Sequence, residues 1–288
     1  MNSDKFFGDV LDILPTTKSL HARNSYFYDV IDKKLKSTLK NSNLNSNGNG
    51  VINFGYFNKI NLPYFEMGNI NSLDLFGLDE LIIFSFYMKN KNYYSKVADI
   101  GANIGLHSII MSKCGWSVDA YEPDPIHQEI FLKNISLNGT MHLVKLNKMA
   151  VSDVAGTAEF TRVLQNTTGS HLTGSKENVY GDVDTFKVDV KDIKEIMSSV
   201  DFIKMDVEGQ EKNIITSTKK SDWKNTDMMV EIGTFENAKK IFDHLNEINV
   251  NCFSQKNNWE KVLNISQMPI SYKEGSLFIS CNDSMNWK

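Results

Sequence analysis

The sequence predicts an α/β fold: a mostly parallel sheet with helices on both faces, an antiparallel last strand and a helical extension at the N-terminus. Three observations carry this. From Lys96 onward, short apolar runs alternate with stretches of helical spacing, the rhythm of linked βαβ units. In Val97-Ala98-Asp99-Ile100-Gly101-Ala102-Asn103-Ile104-Gly105 an apolar strand runs into an acidic residue and a glycine turn, and the next strand ends in a carboxylate, Glu122. The 288 residues, 41% hydrophobic and 23% charged, suffice for one large domain with a sizeable core.

The elements follow in order. Residues 1–40 carry apolar side chains at helical spacing, first Phe6, Phe7, Val10, Leu11 and Leu14, then Tyr26, Phe27, Val30, Ile31, Leu35 and Leu39. Lys33, Lys34 and Lys36 line the polar side. Packing on the domain, or on a second copy in a homodimer, is favoured over a membrane surface. Residues 41–50, Asn-Ser-Asn-Leu-Asn-Ser-Asn-Gly-Asn-Gly, lack the apolar residues to be buried and read as a flexible linker or loop. The boundary is placed there, between an N-terminal extension (1–50) and the main domain (51–288). Two short strands are expected around 54–57 and 62–66, then a helix over 75–89.

The alternating region reads as strand 97–100, helix 105–113, strand 117–121, helix 126–138 and strand 142–152. Residues 156–163 and 185–190 read as strands flanking a polar, glycine-bearing loop. A short helix (192–197), a buried strand (202–205), a helix (210–217), a strand (228–232) and a helix (236–248) follow. Segments 251–253, 259–263 and 277–281 complete the sheet in antiparallel fashion. There is no internal repeat.

Charge and cysteine content exclude several classes. A formal net charge of −4 argues against a nucleic-acid or anionic-membrane partner. Cys114, Cys252 and Cys281 are far apart with no CxxC, as expected of reduced thiols rather than disulfides or a zinc site. No basic-then-apolar leader opens the chain, and a cytoplasmic location is expected. Residues 78–88, interrupted by Asp79, Glu80 and Ser85, are too short to span a bilayer. Asn134-Ile135-Ser136 is read as ordinary polar sequence rather than a glycosylation site.

The turn selects among cofactors. Its glycines are spaced Gly101-x-x-x-Gly105, and Asn103 stands where a dinucleotide-binding GxGxxG has the glycine that admits a pyrophosphate. NAD and FAD are thereby disfavoured. S-adenosylmethionine has no pyrophosphate, its ammonium needs an acceptor such as Asp99, and Glu122 could bind both ribose hydroxyls.

With those residues in place, the chain resembles the FkbM family of class I S-adenosylmethionine-dependent methyltransferases. The matching segments are Asp99 to Gly105, Tyr121-Glu122-Pro123, Ala150-Val151-Ser152-Asp153-x-x-Gly156 and Phe202-Ile203-Lys204-Met205-Asp206-Val207-Glu208-Gly209-x-Glu211. The resemblance covers about residues 60 to 281. The resemblance implies a seven-stranded Rossmann-like sheet and O-methylation of sugar hydroxyls, glycans or secondary metabolites. It implies that Asp99, Gly101, Asn103 and Gly105 line the methionine side of the cofactor. Glu122 would take the ribose, Ser152 and Asp153 the adenine edge, and Asp206 would stand beside the transferred methyl. His107 departs from the family pattern, and residues 1–50 have no counterpart in it.

A sugar hydroxyl needs a base before it attacks. Candidates are Asp206, Glu208, His171 and His107. In an extended strand Asp206 and Glu208 would share a face, where mutual repulsion raises one pKa. Alternatively they could hold Mg²⁺ or Mn²⁺, or Glu208 could cap the helix opening at Gly209. His171 lies in the polar insertion, where acceptor specificity is expected. Tyr64, Phe65, Tyr180 and Trp259 are aromatics able to stack on a sugar. The competing readings are a nicotinamide-dependent oxidoreductase, an O-methyltransferase of a non-sugar metabolite and a non-catalytic S-adenosylmethionine-binding module.

Overall fold

The computed structural model describes residues 3–175 and 181–287. The strands are β1 Val51–Asn53, β2 Lys59–Asn61, β3 Lys96–Ile100, β4 Ser117–Tyr121, β5 Val144–Asn147, β6 Ala150–Ser152, β7 Gly156–Val163, β8 His171–Leu172, β9 Val183–Asp192, β10 Phe202–Met205, β11 Asp227–Glu231, β12 Asn251–Ser254, β13 Glu260–Lys261 and β14 Ser276–Ser280. The α-helices are α1 Ser3–Ile13, α2 Tyr26–Lys40, α3 Leu78–Lys89, α4 Leu106–Lys113, α5 Pro125–Leu137, α6 Ile193–Met197, α7 Glu211–Thr216 and α8 Phe235–Glu247.

Eight strands form the main sheet in the order β13-β12-β14-β11-β10-β3-β4-β5. β11, β10, β3, β4 and β5 are parallel, while β14 runs antiparallel to both its neighbours, β11 and β12. From β3 the chain builds outward through β4 and β5, then returns to β3's other side for β10 and β11. The order therefore reverses between β3 and β10, and a crevice opens there beyond the carboxyl ends of the strands.

Each face of the sheet has its own core. On one side Ile193, Ile214, Trp223 and Ile241 pack against Ile203, Met228 and Val230. On the other, α3 is buried on nearly every side because α1 and α2 cover its outer surface. Phe7, Leu11, Leu14, Leu35 and Leu39 of the first two helices belong to the same cluster as Phe84, Phe86, Phe202 and Phe278. The helical extension thus shares the core of the domain it precedes. The Asn-rich segment is a folded turn: Leu44 is buried, contrary to the polar reading, and the Gly50 amide bonds to the Asn43 carbonyl at 2.8 Å.

Other elements differ from expectation. The expected strand at 54–57 is a 3-10 turn, Gly55–Phe57, joining the antiparallel pair β1 and β2. The helix expected from 75 begins at Leu78, preceded by a 3-10 turn at Asp74–Phe76. The single strand expected over 142–152 is two strands in different sheets. The chain kinks after Asn147, where the Met149 amide bonds to the Asn147 carbonyl at 2.9 Å, and β6 joins a second sheet ordered β6-β9-β7-β8. Part of the insertion expected as a loop, residues 163–184, is thereby folded: β8 pairs with β7, and β7 with the long β9.

Candidate active site

Register sets the geometry of the crevice. Ile100 pairs with Met205 on one side and Tyr121 on the other, so the residues that follow (Gly101, Asp206 and Glu122) leave the sheet at one level. Strand spacing alone puts the Asp206 and Glu122 backbones about 10 Å apart across the turn. The Asp206 amide bonds to the Ile100 carbonyl at 2.9 Å, and the amides of Gly101 and Ala102 share the Tyr121 carbonyl at 3.0 Å each. Gly101 has φ +75°, and a Cβ there would lie 1.8 Å from the Asp206 carbonyl oxygen. Only glycine lets the turn fold this closely onto β10.

A cavity of about 650 Å³ occupies the crevice. Gly101, Asn103, Glu122, Asp206, Glu208 and His171 all line it. Met149, Val151, Phe160 and Leu172 supply apolar wall, and Thr167, Thr168 and Ser170 supply polar wall from the second sheet. Asp99 and Gly105 are not among its lining residues. Asp99 is fully buried and accepts from Ser108 Oγ at 2.6 Å; Gly105, with φ +91°, precedes α4 against the Phe131 ring.

Glu122 is buried at the centre of this wall. One carboxylate oxygen accepts from the Asn103 amide at 2.7 Å, the other from the Asp124 amide at 2.8 Å, and each keeps an acceptor site. Burial pushes its pKa up to about 8, against the two amide bonds that lower it. Burial likewise raises Glu211 to about 7. In the unfolded chain both ionise near the ordinary 4.5. The folded state therefore holds protons that the unfolded state has already lost, and stability falls as pH rises toward 8. Below about 6.5 the buried His21 ring, lowered to about 4, acts in the opposite sense. The unliganded protein should thus lose about 1–2 kcal/mol between pH 6.5 and 8. Calorimetric melting across that range checks this, and Glu122→Gln should flatten the slope.

Several candidates are placed differently from expectation. Ser152 and Asp153 do not line the cavity; the kink puts Met149, Ala150 and Val151 there instead. Ser152 Oγ donates to Asp153 at 2.8 Å and approaches Gln210 Oε1 at 3.3 Å. His171 is a buried member of β8 rather than a loop residue, its Nδ1 2.9 Å from the Gly169 carbonyl. Asp206 and Glu208 do not share the face of a strand, because β10 ends at Met205 and Glu208 turns to φ +55°. Glu208 is hydrogen-bonded to the Tyr272 hydroxyl. The capping expected of Glu208 falls to Glu211, which accepts from the Gly209 amide at 2.9 Å. His107 faces away from the cavity, between Glu80 (2.8 Å) and the Tyr87 hydroxyl (3.0 Å). Trp259 is core, donating to His21 at 2.9 Å; Tyr64 and Phe65 are half-buried outside the cavity lining, and Tyr180 lies outside the described residues. Among the described residues no group of three or more His, Cys, Asp or Glu side chains is placed to hold a metal ion, so the Mg²⁺ or Mn²⁺ reading has no ligand set.

The structure gives roles to residues to which the sequence reading assigned none. Arg162 on β7 forms two 2.7 Å bonds to Asp124, tying the second sheet to the start of α5 beside the cavity. Lys204 lies 3.8 Å from Asp206 and is enclosed by the charges of Asp99, Glu80 and Glu231, which outweigh burial and keep its ammonium protonated. Glu231, ending β11, is raised well above the usual range by burial and by the Asp206 and Glu80 charges. The sequence signals for Lys204 and Glu231 were a lone lysine within the apolar run of β10 and a carboxylate at the end of β11.

A crevice at this reversal point, with an acidic strand end on each side of a glycine turn, defines the class I Rossmann-like methyltransferases. The methyltransferase FkbM domain model matches residues 99–257, and the chain belongs to the FkbM methyltransferase family. This removes the nicotinamide reading. The chain is 23% identical over 159 residues to the methyltransferase sdnD of Sordaria araneosa, an alignment covering 44% of this chain and 61% of that relative. The chain thus matches about three fifths of that relative's length. Among solved structures, it is similar to methyltransferase FkbM from Methylobacillus flagellatus KT, with TM-score 0.41 and 13% identity over 72% of this chain and 52% of that one. It is also similar to an O-methyltransferase from Bacillus cereus solved with S-adenosylhomocysteine, with TM-score 0.37 and 9% identity over 68% and 78%. Family and fold imply S-adenosylmethionine as cofactor, and no helix among the described residues is long and apolar enough to cross a membrane.

Proposed function

We propose that the protein is an S-adenosylmethionine-dependent O-methyltransferase acting on a hydroxyl of a sugar or glycan. The carrying observation is the common level of Glu122, Gly101 and Asp206 on one cavity, with a carboxylate on each side of the turn. The cavity's chemistry fits the cofactor. Asn103, which lines the cavity, has its Oδ1 buried without a hydrogen-bond partner among the described residues, an acceptor that an ammonium group could satisfy. The free acceptor sites of Glu122 suit a vicinal diol, and Met149, Val151, Phe160 and Leu172 suit a flat heteroaromatic ring.

When bound, the cofactor supplies a methyl group on a positively charged sulfur. The protein's part is orientation and proton handling. Asp206 accepts the proton of the attacking hydroxyl, with Lys204 as its cationic neighbour. Glu208, Thr167, Thr168 and Ser170 offer hydrogen bonds to further hydroxyls, which favours a polyhydroxylated acceptor over an apolar metabolite.

Calorimetric titration with S-adenosylhomocysteine tests the cofactor half. At pH 9, where the carboxylate is ionised, Glu122→Ala should weaken binding by about 1.5–3 kcal/mol as a charge-assisted contact is lost; an unchanged affinity would take Glu122 out of the site. Methyl transfer from labelled S-adenosylmethionine across mono- and oligosaccharides tests the acceptor half. Turnover only on non-sugar alcohols would replace the sugar reading, and no turnover with intact cofactor binding would favour a non-catalytic module.

A further inference from the structure

A second cavity, of about 630 Å³, is lined by Ala22, Arg23, Asn24, Lys256, Lys273 and Glu274. None of these residues lines the first cavity, yet both walls lead to it. On one side Arg23 pairs with Asp79 in the first turn of α3. The next residue, Glu80, bonds His107 at 2.8 Å on α4, the helix that follows the glycine turn. On the other side Lys273 and Glu274 follow Tyr272, which hydrogen-bonds Glu208 of the first cavity. Tyr272 packs so tightly on Gly233 that a Cβ there would lie 2.3 Å from its ring. Tyr272 thus connects Glu208, on the first cavity, with Lys273 and Glu274, on the second.

The charges of this cavity are only partly used. Lys256 is committed to Glu274 at 3.1 Å and to the Met268 carbonyl at 3.2 Å. Arg23 spends one end of its guanidinium on Asp79, but its Nε is buried with no acceptor among the described residues. The Lys273 ammonium makes no ion pair among them. Counting Asp79, which pairs with Arg23, three cations stand against two carboxylates, and Lys273 is the cation left without an ion pair among the described residues. The Arg23 Nε and the Lys273 ammonium on one cavity match an oxyanion, phosphate or carboxylate.

We infer that this cavity holds an oxyanion group of the acceptor, so that the substrate is an anionic sugar, a phosphorylated or uronic one, whose hydroxyls reach past Tyr272 to Asp206. The inference rests on the methyl-transfer reading above but is tested separately from it. The full chain, saturated with S-adenosylhomocysteine, is titrated with glucose, glucose 6-phosphate and glucuronate by calorimetry, and again as Lys273→Glu. Lys273 is exposed, so the variant should fold, and its S-adenosylhomocysteine affinity verifies that. At least one anionic probe should bind at least tenfold more tightly than glucose, and Lys273→Glu should erase that margin without changing S-adenosylhomocysteine binding. Which probe wins separates phosphate from carboxylate. Equal binding of all three sugars, or a margin that survives the variant, overturns the inference while leaving the cofactor site untouched. Anion binding that depends on Lys273 in a protein that does not bind S-adenosylhomocysteine keeps the anion site and discards the methyl-transfer reading.

Discussion

Replacing Asp206 by asparagine should lower kcat by about 10²–10⁴, the usual worth of a positioned base, with little change in S-adenosylhomocysteine affinity. Asparagine keeps the size of the side chain and its place against the Gly101 turn but cannot accept the hydroxyl proton. Glu208→Gln is the comparison. The left-handed backbone at Glu208 and its bond to Tyr272 aim that carboxylate elsewhere, so its loss should raise KM more than it lowers kcat. If the two variants exchange these effects, Glu208 is the base and Asp206 the positioning residue. A shift of the pH–rate profile in Asp206→Asn would separate loss of a base from simple misalignment.

Arg162→Met should destabilise the protein by about 3–5 kcal/mol, because it strands the nearly inaccessible Asp124 carboxylate. Asp124 is held below the usual carboxylate range: burial raises it, and the Arg162 hydrogen bonds, the His127 and Arg162 charges and the Ile126 amide together more than offset this. Urea unfolding at fixed ionic strength measures the cost. The double variant Asp124→Asn, Arg162→Met should recover much of it, since no charge is then left unpaired. It will not recover all, because the two 2.7 Å Arg162–Asp124 bonds are lost, although asparagine can still cap α5 through the Ile126 amide. The same pair anchors β7, which carries Phe160 of the cavity wall, so cofactor affinity should fall even in the folded fraction. A single variant as stable as the parent would show that the pair contributes nothing net.

Much of this architecture was legible because short-range chemistry and the required periodicities agree in it. The strands at Ser117–Tyr121, Gly156–Val163 and Phe202–Met205 have the bounds their apolar runs predict. Glu122, Gly101 and Asp206 could be named because a strand-end carboxylate and a glycine turn are local features. What could not be read depends on distant pairing. Apolar residues recur on both sides of Asn147-Lys148, and that short polar break does not say that the chain changes sheets there. Periodicity alone assigned Asp206 and Glu208 to one face, but the backbone at Glu208 leaves the strand. Arg162 meets Asp124 across 38 residues of sequence, and Lys273 faces Arg23 across most of the chain. Trp259 could not be told from the other aromatics by sequence, because its burial against His21 depends on a segment more than two hundred residues away.

The position of β14 bears on how the molecule is made. Although last in sequence among the strands, it lies inside the sheet, between β11 and β12. Until residues 276–280 leave the ribosome, β12 and β13 have no partner linking them to the rest, and the β11 edge stays open to intermolecular pairing. The parallel half can form as it is synthesised, whereas the sheet closes only late, through contacts distant in sequence. A nascent chain arrested before residue 276 should therefore be held by chaperones or aggregate, and tags fused close behind β14 should reduce soluble yield more than tags placed before α1.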